Sequence, residues 1–146
     1  MVIIIIAGAV AVAAVIIGFM VASTFKSGPQ PPDVKFVGFT PDGQQTIKDD
    51  QIITVTFKVH NYEQRDIDNA RVITTHKGDS KFFVVDKPDY VLSPALGAKD
   101  GESGSQTVVI RGINLGNQPA IEDTFTISLY VGTELADSRM ISVRLE

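Results

Sequence analysis

The sequence contains no cysteine, so no disulfide can join two parts of this chain. The absence of cysteine does not reveal whether the protein works in an oxidising or a reducing compartment, because oxidising compartments do not require cysteines. No Asn-x-Ser/Thr triplet is present, and N-linked glycosylation at that motif is not expected. Charge is missing from residues 1–25, and Lys26 is the first ionisable side chain. The chain therefore divides into an uncharged N-terminal segment and a charged remainder.

Signatures of catalysis and of nucleic-acid binding are also missing. No Gly-rich loop stands between a strand and a helix pattern, and no Ser-His-Asp or Cys-His arrangement is recognisable. The two histidines, His60 and His76, lie at predicted strand ends without partners at metal-ligand spacing. The 13 basic and 17 acidic residues are mixed, with no basic stripe. We therefore expect no enzymatic activity, no cofactor, no metal and no nucleic-acid partner.

Carboxylates are the remaining candidates for chemistry. Asp49-Asp50 and Glu122-Asp123 are adjacent pairs, and adjacent residues of a strand point to opposite faces, which makes them poor acid/base pairs. Four loop aspartates could bind calcium as a group, although no EF-hand pattern accompanies them. These four are Asp66, Asp68, Asp79 and Asp100.

The uncharged segment is long enough to cross a bilayer as a helix. Twenty-five residues at about 1.5 Å each span roughly 37 Å, and a hydrocarbon core is about 30 Å thick. A secretory signal peptide is the main alternative, but it would have a basic start and a shorter apolar run. The pattern predicts a hydrophobic helix over residues 1–26.

Small residues recur along this predicted helix at spacings of three and four. Such a stripe lets helix backbones approach closely, and it predicts a helix-packing face in a filament core. Alanine and glycine are also common in any membrane helix, which is the alternative explanation. The stripe consists of Ala7, Ala11, Ala14, Gly18 and Ala22.

The composition of residues 27–32 predicts a semi-rigid joint between the helix and the domain that follows it. Glycine can end a helix, and prolines favour an extended spacer. A simple boundary linker is an equally good interpretation. The joint residues are Gly28, Pro29, Pro31 and Pro32.

Residues 33–146 predict one all-β domain. Residues 53–59 and 124–131 alternate apolar and polar side chains, as in a sheet covered on one face. Turn signals such as Pro41-Asp42-Gly43 separate the runs. Seven short runs at this spacing favour an immunoglobulin-like sandwich. The runs are 33–40, 51–61, 69–76, 81–86, 105–113, 123–132 and 138–146.

The predicted fold class is thus a long N-terminal α-helix followed by an all-β immunoglobulin-like sandwich. Met1–Phe25, the Gly/Pro joint and the predicted sandwich together resemble the archaeal type IV pilin superfamily, which includes adhesive pilins, archaellins and pilin-like stator components of the archaellum. Over a short stretch, residues 56–61 and 70–72 are similar to adhesion-type Ig-like modules. No Glu stands near the start of the helix, which favours an archaeal over a bacterial subtype.

The resemblance implies a structural subunit of an extracellular pilus-like filament. The N-terminal helices would bundle as the core of a helical homopolymer, and the β-domains would form its outer sheath at the cell surface. Further implied partners are the membrane before assembly, an assembly ATPase and a prepilin peptidase, which would have removed a short basic leader. The alternative is a single-pass membrane-anchored β-sandwich binding module, such as an archaellum stator subunit.

Overall fold

The computed structural model describes residues 30–146, in which Pro31–Glu146 form one compact unit. This unit is built from ten strands. The strands are β1 (Val34–Thr40), β2 (Gln44–Ile47), β3 (Ile52–Asn61), β4 (Ala70–His76), β5 (Phe83–Asp86), β6 (Asp89–Val91), β7 (Gly101–Glu102), β8 (Gln106–Gly112), β9 (Ile121–Val131) and β10 (Glu134–Leu145).

The strands form two five-stranded sheets. In the first sheet the order is β1-β3-β8-β5, with β7 added beside β3, and in the second it is β2-β10-β9-β4-β6. All neighbours are antiparallel except β2 and β10, which run parallel. Seven of these strands, β1-β3-β8-β5 and β10-β9-β4, follow the ABED and GFC orders of an immunoglobulin-like sandwich. That topology follows from the strand pairing itself.

Alternating side chains build the core between the sheets. In β3 the positions 53, 55, 57 and 59 are buried, and in β9 the positions 125, 127, 129 and 131 are buried. Phe57 and Phe125 are among the largest fully buried side chains, and Phe125 meets Phe83 edge-on with ring centroids 5.3 Å apart. Each large apolar side chain buried in this way stabilises the fold by about 1.5–3 kcal/mol.

A β-bulge at Ala136 changes which side chains of β10 face outward. Leu135 lies opposite Tyr130, but Asp137 lies opposite Leu129, so Ala136 is the extra residue. The additional residue reverses the inward–outward alternation along the strand. As a result Leu135 faces outward before the bulge, whereas Ile141 and the buried positions after it face the core.

The predicted fold class requires a correction. The described residues are all-β and contain no helix, and the helix predicted over residues 1–26 lies outside them. Within residues 30–146 no helix has the length and apolar character needed to cross a membrane. Each of the seven predicted runs coincides with a strand, and β2, β6 and β7 were missed because they have only two to four residues.

The side chain of Asn61 fixes two loops at one end of the sandwich. It is fully buried, and its amide nitrogen donates hydrogen bonds to the carbonyl oxygens of Arg65 and Gly97, at 2.8 and 2.9 Å. Its oxygen accepts a hydrogen bond from the backbone nitrogen of Glu63. Burial of this amide is tolerated because its hydrogen-bonding groups are satisfied. The loop carrying Gly97 is thereby held against β3, where Gly101 of β7 lies opposite Asn61.

We expect Gly101→Ala to lower the free energy of unfolding by about 2 kcal/mol. A Cβ atom at this position would overlap the backbone of Gly97, which cannot move without breaking the Asn61 contacts. Chemical denaturation measures the effect. Gly104→Ala is the matched control, because a Cβ atom there meets nothing within 4 Å. Equal stability of the two variants would contradict the close packing of this loop.

We expect Tyr90→Phe to leave stability unchanged or to raise it by up to about 1 kcal/mol. The Tyr90 hydroxyl is buried without a hydrogen-bond partner, and burial raises the pKa of Tyr90 to about 12. Removing the hydroxyl therefore relieves a desolvation cost, while the ring still packs on the core. Tyr90→Ala, which removes the ring, should cost about 2 kcal/mol in the same denaturation assay. A clear loss of stability in Tyr90→Phe would indicate a hydrogen bond to this hydroxyl.

Candidate interaction surface

The residues predicted to form the filament core and the joint fall mostly outside the described part of the chain. Ala7, Ala11, Ala14, Gly18 and Ala22 lie outside it, as do Gly28 and Pro29. Of the remaining joint residues, Pro31 is exposed and Pro32 is buried at the start of the sandwich. The helix-packing stripe therefore stays a prediction about sequence.

His60 lies in a charged cluster on the outer face of the first sheet. Its Nε2 is 3.0 Å from a carboxylate oxygen of Asp100, and its Nδ1 is 3.3 Å from Glu102. Glu102 also accepts a hydrogen bond from Lys58 at 2.9 Å. The His60 ring packs on Tyr62, with ring centroids 4.2 Å apart. The cluster joins β7 and the preceding loop to β3, because Glu102 lies opposite His60 in the ladder.

Electrostatics in this cluster favour the imidazolium. The pKa of His60 is raised above its usual value, first by the hydrogen bond to Asp100 and then by the one to Glu102, which together outweigh desolvation. The pKa of Glu102 is lowered, first by the hydrogen bond from Lys58 and then by the one from His60. With both ring nitrogens acting as donors, His60 bridges two carboxylates.

His76 forms the other histidine–carboxylate contact. Its Nδ1 lies 2.6 Å from Asp123, a buried carboxylate at the start of β9, and its ring stacks on Phe125. Asp123 also accepts hydrogen bonds from the backbone nitrogens of Gly78 and Thr124, both at 2.8 Å. Glu122, the neighbouring residue, is exposed. This carboxylate therefore ties the turn after β4 to β9.

The four loop aspartates do not converge on one point. Asp66 accepts a hydrogen bond from the backbone nitrogen of Ala98, Asp79 accepts one from Lys81, and Asp100 contacts His60. The backbone and side chain of Lys81 lower the pKa of Asp79. In the described range no group of three or more acidic, histidine or cysteine side chains could hold a metal ion.

An apolar row crosses the outer face of the second sheet. Leu135 of β10 lies opposite Tyr130 of β9, Tyr130 lies opposite Arg71 of β4, and Arg71 lies opposite Val91 of β6. Directly opposite residues in a sheet point to the same face. The exposed fractions of Leu135 and Val91 are 47% and 58%. We call these four side chains the β10–β6 row.

Two serines, an isoleucine and an aspartate lie along one side of the β10–β6 row. The next line of opposite residues along the strands is Ser138, Ser128 and Ile73, with Asp89 on β6. Arg71 forms a two-pronged ion pair with Asp89, which raises the pKa of Arg71 and lowers that of Asp89. The pair therefore directs the Arg71 guanidinium towards Asp89 in the neighbouring line.

The sequence pattern gave part of this surface. The outward positions of β9, including Tyr130, follow from its alternation. Leu135 was not predicted, because the strand begins before the bulge at Ala136 and the alternation after it has the opposite phase. Val91 was missed because β6 has only three residues. Only the strand pairing brings the four side chains into one line.

Comparisons with known proteins give structural neighbours only. The periplasmic chaperone SfaE aligns with a TM-score of 0.49 and 15% identity, covering 77% of this chain and 56% of that one. The E. coli chaperone DraB aligns with a TM-score of 0.46 and 14% identity, covering 80% of this chain and 56% of that one. The ASH/PapD-like domain of human CEP192 aligns with a TM-score of 0.43 and 11% identity, covering 82% of this chain and 88% of that one. This chain therefore spans 56% of the two chaperone chains, and we take nothing about function from these neighbours.

No protein-family model and no curated protein matches this chain. The resemblance to the archaeal type IV pilin superfamily is wrong: no family model and no curated protein of that kind matches the chain, and the described residues contain no helix. The predicted role as an adhesive archaeal filament subunit is wrong with it, and the transmembrane helix assigned to residues 1–26 is not found in the described part of the chain. What holds is the coarser statement that residues 31–146 form an Ig-like β-sandwich.

We expect the pKa of His60 in the folded protein to exceed 6.5, its ordinary value. A raised folded-state pKa means that the imidazolium stabilises the fold fully below about pH 6.5, and that this contribution is lost as pH rises through the folded-state pKa. NMR titration of the His60 ring measures it. Asp100→Asn should lower this pKa, whereas Glu122→Gln on the other sheet should not change it. A pKa at or below 6.5 in the unsubstituted protein would contradict the bridged geometry.

Proposed function

We propose that this protein is a membrane-associated binding module whose sandwich binds a protein partner through the outer face of its second sheet. The observation that carries the proposal is the β10–β6 row, in which an exposed leucine, a tyrosine, an arginine and an exposed valine form one line across four strands. The proposal is a binding module rather than an enzyme.

The residue types in the row favour a protein–protein contact. Tyrosine and arginine are enriched at the energetic centres of interfaces, and charged residues are depleted there unless they are paired. Arg71 already has its partner in Asp89, so a protein docking on the row would not have to supply a carboxylate. Covering Leu135 and Val91 would remove apolar surface from water at about 25 cal/mol per Å².

The surroundings of the row suit a flat protein surface. Ser138 and Ser128 have short side chains, and Ile73 is half-buried beside them. Serine and threonine hydroxyls can donate or accept hydrogen bonds at the rim, where water still has access. The face therefore combines an apolar centre with an adaptable polar border.

The uncharged segment supports a location at a membrane. Residues 1–25 contain about twenty apolar side chains, whose exposure to water would cost some 30–60 kcal/mol as an upper bound. Such a segment must lie in lipid or against other apolar surfaces. We propose that it holds the sandwich at the cell surface, so that the module meets partners at a membrane.

A photo-crosslinking amino acid placed at Val91 of the full chain, in its native membrane, tests the proposed face. We expect a discrete crosslinked species, because Val91 would lie in the interface. Leu135→Asp should reduce the yield about tenfold, since it places a charge in the apolar centre of the contact. Mass spectrometry of the species identifies the partner, and twice the mass of this chain would identify it as a second copy.

Thr75→Asp is the matched control. Thr75 is exposed, lies on β4 as Arg71 does, and is separated from the row by the line that contains Ile73. The Thr75→Asp substitution introduces the same negative charge as Leu135→Asp on the same face of the sheet, and we expect it to leave the crosslink yield unchanged. Equal loss of crosslink in Thr75→Asp and Leu135→Asp, or no crosslink from Val91 at all, would contradict the proposed interface.

A further inference from the structure

The outer edge of β5 is an unpaired strand edge. β5 pairs with β8 on one side, and no strand among residues 30–146 pairs with it on the other. The backbone nitrogen of Ile113 donates a hydrogen bond to the carbonyl oxygen of Phe82. Since hydrogen-bonded residues alternate along an antiparallel pair, Val84 and Asp86 direct their backbone groups to β8. Phe83 and Val85 therefore direct theirs outward, away from the sheet.

The opposite edge of the same sheet is closed. There the backbone nitrogen of Phe36 in β1 donates a hydrogen bond to the Asp137 carboxylate, at 2.9 Å. The ammonium group of Lys35 reaches the carbonyl oxygen of Ala136, at 3.1 Å. A side chain and the bulge of β10 therefore cover the edge of β1. Uncovered strand edges are templates for pairing with another chain, and within the first sheet β5 is that edge.

A cavity of about 470 Å³ lies over β5 and β8, lined mainly by side chains on the outer face of the first sheet: Val84, Asp86, Val109 and Arg111, with Val85. Val84 faces outward and is 49% exposed, and Val85 faces the interior but is only half-buried. After Asp86 the chain leaves the first sheet and joins the second sheet as β6. Val84 and Val85 thus place apolar side chains on both faces of the edge strand β5.

We propose that β5 binds an extended peptide segment of a partner protein, which adds a strand to the first sheet. The segment would carry an apolar side chain next to Val84 and a basic side chain next to Asp86, two residues apart. Residues two apart on a strand point to the same face, and opposite charges on neighbouring strands attract. Its backbone would hydrogen-bond to Phe83 and Val85.

Charge complementarity identifies the basic residue of the segment. Asp86 is exposed and forms no salt bridge with any described side chain. Arg111 lies one strand further in, opposite Val84, and Asp86 is the one charged residue of β5 itself. A second copy of β5 would not complement it, because the outward positions of β5 are Val84 and Asp86 and neither is basic. A different segment with a lysine or arginine fits better.

Fluorescence anisotropy of a labelled peptide added to the full chain in detergent micelles tests this inference. The probe is Thr-Val-Thr-Val-Thr-Lys-Thr, and its partner probe has Glu in place of Lys. We expect the Lys peptide to bind about fivefold more tightly than the Glu peptide, the ratio that one exposed ion pair can give. In Asp86→Lys the preference should reverse, because the charge on β5 is then positive.

Glu122→Lys is the matched control, since it makes the same charge change on an exposed residue of the second sheet. It should leave the preference for the Lys peptide unchanged. Hydrogen exchange at the Val85 amide provides an independent readout, and we expect the Lys peptide to slow it. The inference is overturned if Asp86→Lys does not alter the preference, if Glu122→Lys alters it equally, or if exchange at Val85 is unaffected by saturating peptide. The result is separate from the proposed function, because the β10–β6 row lies on the other sheet.

Discussion

The structure depends on one constraint, the burial of every second side chain between two sheets. Phe57 of the first sheet and Phe125 of the second are fully buried, and their strand neighbours point to solvent. Because the period is two, fixing the core side chains also fixes which side chains face outward. The β10–β6 row follows from this constraint, because its four side chains are among those that face outward from the second sheet. The β5 edge, the other surface that we propose for binding, is the strand at which the first sheet ends.

Irregular positions create the binding features on this regular frame. The bulge at Ala136 lets Leu135 face solvent while the positions after it face the core. The same region covers the edge of β1 through Asp137. On the far side of the sheet the chain leaves β5 for the second sheet, and no side chain of the described residues covers the edge in that way. One sheet therefore has a closed edge and an open one.

Polar groups inside and around the sandwich have local structural roles. Asn61 hydrogen-bonds to the backbone of the loops beside β3, and Asp123 accepts a hydrogen bond from Gly78 in the turn after β4. The His60 cluster joins β7 to β3. Each buried polar group of this kind is tolerated because it is hydrogen-bonded, whereas the hydroxyls of Thr74 and Tyr90 are not. These contacts position the loops of the sandwich. The binding function that we propose rests on exposed side chains instead.

The sequence by itself determined the strands with clear alternation, such as residues 53–59, because a period of two is written in neighbouring residues. It also placed His60 and His76 at strand ends. It did not determine the partners of these side chains, the short strands β2, β6 and β7, or the line that joins Leu135 to Val91. The resemblance drawn from the uncharged segment led to the wrong family. Only the tertiary structure decided the side-chain partners, the short strands and the line from Leu135 to Val91, because strand pairing joins residues that are far apart in the chain. A bulge also changes the phase of the alternation, and the composition of the strand gives no sign of it.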